Sequence, residues 1–165
     1  MTKKITLEQK KELIQVHLVH EINMLGVALN LIEEEFTPKC EKFKESIIVD
    51  LYLTHARNLW MFFYGKHKKD YYAYAQHFMA SNVDWNVVRP PISPWIKKIS
   101  VTVECYLSHL TYKRKKGKNT EWNLNELHQE LITVSKVFLT HLDESLGKSE
   151  LSAFLSIKSS QQKSL

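Results

Sequence analysis

Along four separate stretches of this chain, apolar side chains return every three or four residues. That spacing matches the 3.6-residue turn of an α-helix and gives each stretch one oily face. Four such faces can be hidden only against one another. Glycine and proline number four each in 165 residues, too few for the many turns of a β-rich domain. The expected fold is therefore all-α: a four-helix bundle, or five helices if the crossover contributes one, with a longer crossover between the second and third helices.

The first stretch runs from about Thr6 to Phe36, with Ile14, Leu18, Ile22, Leu25, Leu29 and Ile32 on its face. Thr6 and Gln9 have the spacing of a capping box, and Thr37-Pro38 stops the helix. The second spans about Lys39 to Tyr64. Its seam is Ile48, Leu51, Tyr52, His55, Leu59, Phe62 and Phe63, widened by Leu53, Ala56 and Trp60, so this helix is expected to be central. Gly65 reads as its C′ residue.

Residues 66–94 are less regular, with a short helix expected over Asp70–Phe78 and a proline-rich loop from Arg89 to Pro94. Ser93 can cap the third helix, whose stripe is Trp95, Ile99, Val103, Tyr106 and Leu110. The fourth starts near Asn123 or Asn125 and carries Leu124, Leu127, Leu131, Val134, Phe138 and Leu142, with Gly147 closing it. One domain over residues 1–148 is expected, followed by a short amphipathic turn and polar tail over 149–165. No apolar run reaches the roughly 20 residues that span a bilayer. A cytoplasmic protein without membrane association is the expectation, with Cys40 and Cys105 as reduced thiols.

The string Leu53-Thr54-His55-Ala56-Arg57-Asn58-Leu59 puts His55 within the oily seam, Asn58 on its flank and Arg57 on roughly the opposite side. A buried imidazole needs a hydrogen-bond partner, and that need builds either a satisfied core histidine or a polar interhelical site. His20, His55, Arg57, Asn58 and Tyr112 are the candidates for such a site, with His20, His55 and His109 able to converge from facing helices. His17 and Glu21, four apart, can pair on the helix surface.

Cys105 and His109 share a face, but no further ligand pattern accompanies them, so no metal is assigned. Walker, GxGxxG and GxSxG signatures are absent, and no cofactor is expected. Net charge is +5. The densest cationic run is Lys113, Arg114, Lys115, Lys116 and Lys118, which serves either as a solvated helix end or as a phosphate-binding patch.

The central His55-Ala56-Arg57-Asn58-Leu59, with the later Leu107-Ser108-His109-Leu110-Thr111-Tyr112, resembles HEPN-like bacterial proteins over residues 6–146. That resemblance implies a small helical bundle binding RNA or a partner protein in defence or toxin–antitoxin settings. The family's ribonuclease mark is an arginine followed after four to six residues by a histidine. Here Arg57 is followed at those distances by Phe62, Phe63 and Tyr64, while Glu104 and Val103 precede His109. Only His109 carries over, as a catalytic general acid or base. The expected partners are RNA or an acidic protein, or a second copy in a homodimer; the alternative function is a non-catalytic interaction module.

Overall fold

The computed structural model describes residues 5–35, 42–65, 72–107 and 123–147. Helices account for most of the described structure, and among these residues there is no strand beyond one isolated bridge between Met79 and Leu142. The architecture is an all-α bundle. Its first long helix consists of α1 (Leu7–Glu12), a π-helical segment (Leu13–Leu18) and α2 (Val19–Glu35). The second is α3 (Lys42–Tyr64). A crossover carrying a 3-10 turn (Ala75–Phe78) and the short α4 (Trp85–Val88) leads to α5 (Pro94–Leu107) and then α6 (Leu124–His141).

The chain enters α1 through the capping box its sequence announces. Gln9 N donates to Thr6 Oγ1 at 3.2 Å and Thr6 N donates back to Gln9 Oε1 at 3.0 Å. One uniform helix was the expectation for this stretch, and the π segment is a departure from it. Ile14, Leu18 and Ile22 are spaced by four, and on an α-helix each such step overshoots a full turn by ~40°. A wider π turn, bonded i to i+5, undershoots instead. Mixing the two keeps Ile14, Leu18, Ile22 and Leu25 all buried.

Helix α3 is central, packing against α2, α5 and α6. Of its expected seam, Tyr52, His55, Leu59, Phe62 and Phe63 are buried while Ile48 and Leu51, nearer its start, are only half-buried; the broadening residues Leu53, Ala56 and Trp60 are buried. Tyr52 donates its hydroxyl to Leu124 O at 3.0 Å, tying α3 to the first turn of α6. Gly65 follows α3 without the left-handed backbone of a C′ glycine; Gly147 is the one positive-φ residue among those described. Gly65 is needed for space, because a Cβ there would lie 2.3 Å from Met61 O.

The crossover differs most from expectation. Of the segment expected to be helical, Asp70 and Tyr71 lie outside the described residues, and among 72–78 only Ala75–Phe78 is helical; α4 was not anticipated. Both are held by tertiary bonds. Trp85 Nε1 and Arg89 Nη1 donate to Phe63 O at 2.7 and 3.1 Å, satisfying a carbonyl that the end of α3 leaves open. Trp85 N donates to Gln76 Oε1 at 2.6 Å.

Ser93 caps α5, with Ile96 N donating to its Oγ at 3.1 Å and Pro94 in the first turn. Ile96, rather than Trp95, joins Ile99 and Val103 in the core. Asn123 caps α6, whose Leu127, Leu131, Val134 and Phe138 are buried. Helix α6 stops at His141, six residues before Gly147, because Leu142 turns extended and pairs with Met79. Gly147 closes the 3-10 turn Glu144–Leu146 instead, at φ 77°. The amphipathic turn and tail expected over 149–165 lie outside the described residues, as does Cys40.

Four titrating side chains bracket the pH range of greatest stability. Burial and the nearby Lys10 hold His77 below its ordinary 6.5, and bonds from Ser145 hold Asp143 below 3.8. In both cases the unfolded chain binds the proton more readily. The stability they provide is fully present above 6.5 and 3.8 respectively and is lost as pH falls from those values through the lower folded ones. Burial, with the Glu130 carboxylate, pushes Tyr64 up to about 12 against the opposing Arg89, and burial also raises Tyr52. Folding then favours the protonated phenol, so this contribution is intact below 10 and disappears as pH rises towards 12. Thermal midpoints measured against pH should form a plateau between about 6.5 and 10. Tyr64→Phe should make the alkaline fall shallower; an unaltered alkaline limb would remove Tyr64 as a cause.

Candidate functional site

The polar residues that sequence places near the bundle interior meet where α2 crosses α3. His55 comes from the buried face of α3 and keeps 9% of its surface exposed. Its Nδ1 lies 2.7 Å from Glu21 Oε2 on α2. An ionised carboxylate only accepts, so the hydrogen sits on Nδ1 and His55 donates. Asn58, one turn further along α3, donates through Nδ2 to both Glu21 oxygens at 3.2 Å. The requirement that a buried imidazole find a partner is thus met by a residue from the neighbouring helix. The expected surface pair between His17 and Glu21 does not form, because Glu21 faces α3. His20 is exposed and lies edge-on to His55, with ring centroids 5.8 Å apart.

Next to this bridge is a cleft of about 270 Å³. Glu21 and Asn58 line it together with Arg57 and His17, and Phe62, Tyr72 and Tyr74 supply aromatic walls. Arg57 was expected on the far side of α3. It is half-buried, and residues 72–74 line the same cleft. Tyr72 is 47% exposed, whereas Tyr74 is buried, and their rings are 6.1 Å apart. The π-helical segment supplies Leu13, His17 and Leu18 to the same cleft. Such irregular turns recur at functional sites because they re-aim side chains.

His55 and Asn58 are therefore bonded to one carboxylate, with His20 against the His55 ring and Arg57 lining the same cleft. Tyr112 and His109 lie outside the described residues, as does the cationic run Lys113, Arg114, Lys115, Lys116 and Lys118. Lys97 and Lys98 are exposed on α5. Sequence reasoning did not foresee Glu21 as the hub, and it passed over His128, which is buried on α6. The only early signal for Glu21 was its position on the flank of the first helix's oily stripe. His128 follows Leu127 directly and had no distinguishing context.

Among the described residues no group of three or more histidine, cysteine, aspartate or glutamate side chains is placed to hold a metal ion. No helix among them is long and apolar enough to cross a membrane. The arrangement offers an aromatic surface, a guanidinium and a fixed carboxylate to a planar, partly charged ligand. No protein-family model matches this chain, and comparison with curated proteins and with solved structures likewise finds no match.

Proposed function

We propose that this bundle binds single-stranded RNA and holds one unpaired base in the cleft between α2, α3 and residues 72–74. The observation that carries the reading is the meeting of Tyr72, Tyr74, Arg57 and the Glu21–Asn58 pair in one open cleft. Proteins that take single strands combine aromatic faces for bases with cations for phosphates. The net charge of +5 suits such a partner. The HEPN-like resemblance points the same way, towards an RNA-binding bundle in a bacterial defence setting. The missing arginine–histidine motif favours binding without cleavage.

Binding of short, labelled single strands, followed by fluorescence anisotropy, tests this. Stacking of one base contributes about 1–3 kcal/mol. Tyr72→Ala should accordingly weaken binding by at least about fivefold. Arg57→Gln should weaken it and make it less sensitive to salt, since each phosphate contact adds to the salt slope. Binding unaltered by both substitutions would remove the cleft from the reading. Failure to bind at low salt, with a dimer mass by light scattering, would favour a homodimeric interaction module instead.

A further inference from the structure

The Glu21–Asn58 pair has a hydrogen-bonding polarity that distinguishes among the bases. We infer that the cleft selects guanine, an inference that rests on the RNA-binding reading above. Glu21 is acceptor-only when ionised, and its side chain is 25% exposed. Oε2 accepts from both His55 and Asn58, whereas Oε1 takes only the shared Asn58 contact at 3.2 Å. Capacity to accept remains on Oε1. Asn58 spends its Nδ2 on Glu21, which leaves the amide Oδ1 as a second acceptor on a residue that also lines the cleft.

Two residues with accepting capacity in one cleft call for a ligand edge that carries two donors. Guanine alone among the four bases carries adjacent N–H groups, N1–H and N2–H, on its Watson–Crick edge. Adenine and cytosine would each bring a ring-nitrogen lone pair against the carboxylate. Uracil would bring two carbonyls around its single N–H. A site built to receive donors rejects a base lacking them, since its own acceptors then lose water without compensation. Unpaired RNA bases are commonly read on this edge while stacked on aromatic rings. Tyr72, 47% exposed, supplies such a ring with Tyr74 behind it, and the Arg57 guanidinium adds positive charge to the same cleft.

His55 is the positioning residue. Its bond of 2.7 Å, made from within the core, fixes the Glu21 carboxylate before any ligand arrives. The cleft volume of about 270 Å³ lies just below the roughly 300–1,000 Å³ of drug-sized ligand sites, a size suited to a single base.

The test compares labelled UUGUU, UUAUU, UUCUU, UUUUU and the inosine strand UUIUU, with unlabelled GMP as competitor. UUGUU should bind about tenfold or more tightly than the other standard strands. UUIUU, lacking the N2 amino group, should bind more weakly than UUGUU. Glu21→Gln and Asn58→Leu, each checked for an intact thermal transition, should abolish the preference. Displacement by micromolar GMP would identify a free nucleotide as ligand, and displacement only by strands would identify RNA; both support the guanine assignment. Equal binding of all strands, still weakened by Tyr72→Ala, would overturn guanine selection and leave RNA binding standing. A guanine preference that survives both Glu21→Gln and Asn58→Leu would overturn the assignment to this pair. Binding by none of the strands, and no GMP binding by calorimetry, would remove both readings together.

Discussion

Phe138→Ala should destabilise the fold by about 3–5 kcal/mol, among the largest losses a single substitution can produce here. Phe138 is fully buried on α6. Its ring lies 5.3 Å from that of Phe62, 5.6 Å from Phe63 and 5.8 Å from Trp85, mostly edge to face. Those neighbours belong to α3 and α4, so one ring joins the central helix, the last helix and the crossover. Truncation removes buried area and opens a cavity whose walls are three other aromatic rings, and rigid walls collapse poorly. Total stabilities of domains are only about 5–15 kcal/mol, so the variant should be marginal. Urea unfolding should show a much lower midpoint at nearly constant slope. Phe138→Leu, which refills most of the volume, should lose less. A loss below about 1 kcal/mol for the alanine variant would show that the aromatic cluster is not the centre of the core.

The oily stripes that define this core were readable because each repeats over several turns on one face. Leu127, Leu131, Val134 and Phe138 on α6 illustrate this, as do Leu59, Phe62 and Phe63 on α3. Periodicity over such lengths leaves few alternatives to a helix. The crossover was not readable, and the reason is physical. Trp85–Val88 is one turn long, below the length at which a helix persists alone. It exists because Trp85 reaches Phe63 O and Gln76 Oε1, and both partners are distant in space until the chain has folded. The π segment was hidden for a related reason. Four-residue spacing from Ile14 to Ile22 is compatible with either helix, and only the packing of Ile14 and Leu18 into the common core decides between them.

The site shows the same division. His55 could be placed on the seam of α3 and Asn58 on its flank by counting along one helix. Which carboxylate they would share depends on how α2 crosses α3, and no count along a single helix contains that crossing. Glu21 was therefore assigned to His17, its neighbour in sequence, when its actual partners come from α3. Counting along α3 gives the direction of Arg57, roughly away from the seam, but not that residues 72–74 line the same cleft. A helical wheel reports direction; what lies in that direction is a tertiary fact.

Trp85→Ala carries the second large expectation, about 3–5 kcal/mol, and it separates packing from hydrogen bonding. Trp85 is buried, with its ring 6.1 Å from Phe63 and 5.8 Å from Phe138, while its indole N–H donates to Phe63 O. Trp85→Phe keeps an aromatic ring and deletes the donor. Arg89 still donates to the same carbonyl at 3.1 Å, so the hydrogen-bond share of the loss should be near 1 kcal/mol. Most of the alanine effect must then come from packing. Combining Trp85→Ala with Phe138→Ala should cost less than the sum of the two, because each truncation already removes the contact that the other would lose. If the losses were additive to within about 0.5 kcal/mol, the two rings would not be energetically in contact. Trp85 would then hold the crossover through its contacts with α3, the Phe63 ring and Phe63 O, and not through Phe138.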